Sequence, residues 1–137
     1  MDIVPQINKK TRYPSAIKVF PYLRDHYFEG KVILPAVETL IALANVVQLN
    51  FPQISINCLF RARFDRFLLI TPEKQRLEIL VDIENAGDDN ITAVLLTSIK
   101  SKKSAISRTL EHARVKFATA NSAPCPASPF RVVEKLN

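Results

Sequence analysis

The chain has two histidines, His26 and His112, and these are the side chains whose ordinary pKa lies nearest neutrality. His26 is set apart by its neighbours in the chain. Gly30 comes four residues later and Pro35 five beyond that, within the run YLRDHYFEGKVILP from Tyr22 to Pro35. A histidine can take a proton at the working pH, and a glycine lets a ligand approach the backbone closely. A proline suits the first position of a helix, where the missing N–H costs nothing. These are parts of an acid–base site. They do not suit a metal: neither histidine lies near Cys58 or Cys125 in sequence, and there is no CxxC pair. No metal or other cofactor is expected.

Size and composition describe one ordinary globular domain, with 137 residues, 47% of them hydrophobic and 23% charged. Two cysteines in unlike contexts, one in a strand-like run and one in a Pro-rich tail, read as reduced thiols in a cytoplasmic protein. Met1 to Thr11 is polar and lacks the apolar core of a signal peptide, and no apolar run is long enough for a membrane span. The net charge of +6 favours an acidic partner. Nucleic acid is not expected: there is no recognition motif and no basic stripe with stacking aromatics, and Lys100, Lys102 and Lys103 read as a solvated hairpin tip.

The elements that must position the histidine emerge from periodicity. Residues 1–14 are polar and form a leader or an edge element. Ala16 to Phe20 reads as a short strand stopped by Pro21. Ala36 to Asn50 is apolar on almost every face, which predicts a buried helix starting at Pro35 and ended by Pro52. Beyond Pro52 the period changes to two. Strands are expected at Leu59–Ile70, Arg76–Glu84, Ile91–Ile99 and Ile106–Ala118, with polar turns between the last three. The last should bury Ala113, Val115 and Phe117 and turn His112, Arg114 and Lys116 to the polar side. From Thr119 the small residues and prolines read as a tail, leaving 1–118 as the domain and 119–137 outside it. One helix and an antiparallel sheet make an α+β fold, with the curved sheet wrapped round one long central helix. Periodicity alone admits other α+β folds.

The spacing of His26, Gly30 and Pro35 resembles the HxxxGxxxxP signature of hotdog-fold 3-hydroxyacyl-thioester dehydratases. It is most similar to the first hotdog half of the dehydratase domains of polyketide and fatty acid synthases. Leu23, Asp25 and Leu34 around the motif agree, as do Arg66 to Ile70 and Leu110 to Ala113 further on. The likeness covers about residues 16–118. It implies a single hotdog that eliminates water from a 3-hydroxyacyl group to give a 2-enoyl thioester. The acyl group would be carried on acyl carrier protein or coenzyme A, and the site would form in a homodimer.

Under that resemblance His26 is the catalytic base, and the backbone N–H at Gly30 faces the thioester oxygen, where charge develops. Pro35 fixes the turn into the central helix. The acid that protonates the leaving hydroxyl is where the sequence departs from the pattern. The glutamate of the stand-alone enzymes falls at Ile41, and the usual glycine after the proline is Ala36. Glu38, one turn before Ile41, is the best substitute acid, with Asp65 the weaker one. Either could act across a dimer. Each also has a plainer role: Glu38 complements a helix N-terminus, and Asp65 pairs with the arginines beside it. His112 is expected to be structural or exposed, and Tyr27 and Phe28 to be packing residues. Arg61, Arg63, Arg66, Lys100, Lys102 and Lys103 are candidates for docking an acidic carrier. Two other activities fit the same fold: an acyl-binding or synthase-associated domain without catalysis, suggested by Ile41 and Ala36, and an acyl thioesterase.

Overall fold

The computed structural model describes residues 9–52, 58–85, 90–100 and 107–118. Strands β1 (Lys9–Lys18), β4 (Leu59–Phe64), β5 (Arg76–Asn85), β6 (Asn90–Lys100) and β7 (Ser107–Ala118) form one antiparallel sheet in the order β1-β5-β6-β7-β4. Between β1 and β4 the chain makes a short 3-10 helix (Pro21–Asp25), a small hairpin of β2 (Tyr27–Phe28) and β3 (Lys31–Val32), and the helix α1 (Ala36–Asn50).

The period-two pattern fixes which face of the sheet is covered. Tyr13, Val81, Leu95 and Ala113 lie opposite one another across four strands, and the last three are buried. Leu77, Ile79, Ile83, Ile91, Ala93, Val115 and Phe117 join them in a single core with Leu43, Val46 and Val47 of α1. On the opposite face Asp82 is only 3% exposed and takes both ends of the Arg12 guanidinium, at 2.7 and 2.9 Å. Hydrogen bonding by Arg12 outweighs burial and lowers the Asp82 pKa, with the charges of Arg12 and Lys10 adding to it.

Several expectations are corrected. The first strand runs from Lys9 to Lys18 rather than from Ala16 to Phe20, so the end of the expected leader or edge element is an edge strand. Pro14 is tolerated there because β1 has a neighbour on one side only. The expected strand Leu59–Ile70 stops at Phe64, after a bulge between Phe60 and Arg63 where Arg61 adopts φ 53°. The bulge breaks the alternation and leaves Ala62 and Phe64 exposed. The helix covers the expected run Ala36–Asn50, with Pro35 as its cap rather than its first residue, but is not buried all round. Val37, Ile41 and Leu49, spaced along one stripe, are 58%, 47% and 80% exposed, because the sheet covers α1 from one side. Cys58, expected as a free thiol, is disulfide-bonded. The expected tail 119–137, Lys102 and Lys103 lie outside the described residues. Among the described residues no helix is long and apolar enough to cross a membrane.

Candidate active site

The segment from Tyr22 to Pro35 folds into one compact device. Pro21 starts the 3-10 helix, Leu23 plugs the core beneath it, and His26 ends it in an extended conformation. β2 and β3 then pair through a two-residue turn in which Glu29 (φ 51°) and Gly30 (φ 77°) both have positive φ. That is the type I′ hairpin turn, whose twist matches the flanking strands. Gly30 is therefore required by conformation, and a side chain there would meet nothing within 4 Å. The turn tip is open to a ligand. The hairpin is not among the elements expected from the sequence, although Glu29-Gly30 between β-forming pairs is its signal.

The backbone ties this hairpin down. The Ile33 N–H donates to the His26 carbonyl at 2.9 Å, the Leu34 N–H to Leu68 at 2.8 Å, and the Ile70 N–H to Val32 at 2.9 Å. Phe28 packs on Phe67 with ring centroids 4.9 Å apart. Pro35 caps α1 one residue before the position predicted for it, its carbonyl accepting from the N–H groups of Glu38 and Thr39. The motif thus ends where the central helix begins.

His26 is exposed, and among the described residues its side chain makes no hydrogen bond or ion pair. Asp25, also exposed, does not hold the ring. Glu38 lies in the first turn of α1, where its Oε1 accepts from the Tyr22 hydroxyl at 3.4 Å. It lines a groove of about 240 Å³ with Ile41, Asn45, Leu49, Phe20 and Lys18, and His26 does not line that groove. Asp65 is paired with Arg63 at 3.1 Å, and Arg63 also reaches Glu111. One chain therefore holds His26, Gly30 and Pro35 in a single backbone-bonded segment, and among the described residues His26 makes no hydrogen bond or ion pair with Glu38 or Asp65. Among the docking candidates, Arg63 is engaged in these ion pairs, while Arg61 and Arg66 are exposed.

His112 departs from the alternation expected of it. Leu95 faces Ala113 and Leu96 faces Glu111, so His112 is the extra residue of a β-bulge. It is 6% exposed, with Nε2 at 2.8 Å from the Thr97 hydroxyl and no hydrogen-bond partner for Nδ1 among the described residues. Burial lowers its pKa, although the nearby backbone of Arg66 and Phe67 favours the protonated ring. Among the described residues no cluster of side chains suits a metal ion.

Solved structures share this architecture. An N-terminal dehydratase from the difficidin assembly line matches with TM-score 0.64 and 15% identity, over 88% of this chain and 41% of that one. A trans-AT polyketide synthase dehydratase domain from Brevibacillus brevis matches at 0.56 and 16%, over 92% and 44%. The dehydratase domain from the CurF module of curacin polyketide synthase matches at 0.58 and 18%, over 96% and 49%. No protein-family model and no curated protein matches the sequence significantly. The fold is a single hotdog, the architecture of polyketide synthase dehydratase domains. The chain spans less than half the length of each of these structures.

Proposed function

We propose that the chain is a dehydratase-like hotdog unit that eliminates water from a 3-hydroxyacyl thioester. The observation that carries this reading is the continuity of the motif. His26, the open turn at Gly30 and the Pro35 cap of the central helix form one hydrogen-bonded piece. His26 removes the proton from the carbon next to the thioester carbonyl. The electron pair becomes the new C–C double bond as the bond to the 3-hydroxyl breaks, and that oxygen leaves as water with a proton from an acid. A general base in this role contributes about 10²–10⁴ in rate. A backbone N–H at Gly30 stabilises the charge on the thioester oxygen.

The acid is Glu38, acting from a second copy of the chain. Within one chain Glu38 faces Tyr22 and the groove, and Asp65 is held by Arg63. The structural neighbours are about twice as long, and α1 leaves an apolar stripe at Val37, Ile41 and Leu49 that a second copy would cover. The acyl group arrives on acyl carrier protein or coenzyme A, and the net charge of +6 suits either acidic carrier.

Ile41 favours a second reading, acyl binding without turnover, because it stands in the groove wall where the stand-alone enzymes have their acid. Incubation with 3-hydroxyacyl thioesters separates the readings. Enoyl product that falls at least a hundredfold in Glu38→Gln supports elimination with Glu38 as acid. Thiol release without enoyl product points to a thioesterase, and binding without either product to a silent domain.

A further inference from the structure

We propose that His112 is a positioning residue for the His26 hairpin, acting through the connector Asp65–Ile70. The inference rests on His26 being the base of the acyl site. The bulge at His112 turns its carbonyl toward the end of β4, where it accepts from the N–H groups of Asp65 and Arg66 at 2.9 and 3.3 Å. The same residue holds its ring on the Thr97 hydroxyl at 2.8 Å. One bulged residue thus ties the connector to β7 through its carbonyl and reaches β6 through its ring. The ring lies beside Phe67, Leu68 and Leu69 in the wall of a cavity of about 430 Å³.

The connector is the platform of the hairpin. Leu68 accepts from Leu34, Ile70 donates to Val32, Ile33 bridges Leu69, and Phe67 packs on Phe28. Ile33 in turn donates to the carbonyl of His26. Among the described residues no side chain hydrogen-bonds the His26 ring, and the backbone at His26 is held through Ile33 on this path. A bulge that re-aims a residue beside a site is a common device.

Amide hydrogen exchange tests the proposal without depending on turnover. In His112→Gln and in Thr97→Val, exchange at Leu34 and Ile70 should quicken about tenfold more than at the core amides of Val81 and Val115. The His26 ring resonances should shift in the same variants. Thr97→Ser keeps the hydroxyl and should leave all of these unchanged. A uniform rise across the sheet, or no change at Leu34 and Ile70, would overturn the proposal. Local loosening in a protein that makes no enoyl product would uphold the positioning role and refute the dehydratase reading instead.

Discussion

At the scale of single residues, His26 and Gly30 are constrained in opposite ways. Gly30 is fixed by backbone geometry: φ 77° strains any residue with a Cβ, although space is open around it. Gly30→Ala should therefore destabilise the protein by about 1–2 kcal/mol, and Gly30→Asn by less. Urea unfolding of the two variants checks this order. His26 is exposed and makes no side-chain hydrogen bond among the described residues, so His26→Ala should change stability by no more than about 0.5 kcal/mol while removing the proposed base. Both residues are legible in the sequence because a motif is a matter of type and spacing. The placement of the carboxylates is not, because one turn along a helix or two residues past a bulge decides which cavity a side chain faces. Glu38 points into the groove and Asp65 into an ion pair for that reason.

At the scale of elements, periodicity locates α1 and the three long strands β5, β6 and β7 well, and irregularities account for the misses. The bulges at Phe60–Arg63 and Leu95–Leu96 each shift the parity of a strand, and no sequence period announces a bulge. The first ends the expected strand early. The second buries His112 under the connector. The outer face of the sheet carries its own test in Arg12 and Asp82. Arg12→Met leaves the buried Asp82 carboxylate with only Lys10, 3.6 Å away, and should cost about 2 kcal/mol, less than a fully buried pair because Arg12 is half exposed. The Asp82 pKa is lowered in the folded state, so its stabilisation is complete above the unfolded value of about 3.9 and is lost as pH falls below it. Urea unfolding at pH 7 and pH 3 should show that loss in the wild type. Asp82→Asn should show a smaller difference between the two pH values.

At the scale of the whole molecule, the sequence leads to an antiparallel sheet packed on one helix, and the described residues have that form, with the five-stranded sheet covering one side of α1. The exposure of α1 is not foreseen, because an all-round apolar helix reads the same whether a sheet or a second subunit covers its far side. Val37, Ile41 and Leu49 are the residues a second copy would bury. Leu49→Lys should shift a dimer toward monomer in sedimentation velocity without altering the circular dichroism spectrum. An unchanged association state would remove the helix stripe from the interface.

Elimination at His26 is tested by incubating the purified chain with 3-hydroxyacyl thioesters of several lengths and monitoring enoyl product and free thiol together, with His26→Ala alongside. Elimination at His26 predicts enoyl thioester from the wild type, reduced at least a hundredfold in the variant, and no thiol release. Enoyl product undiminished in His26→Ala, or thiol release alone, would contradict it.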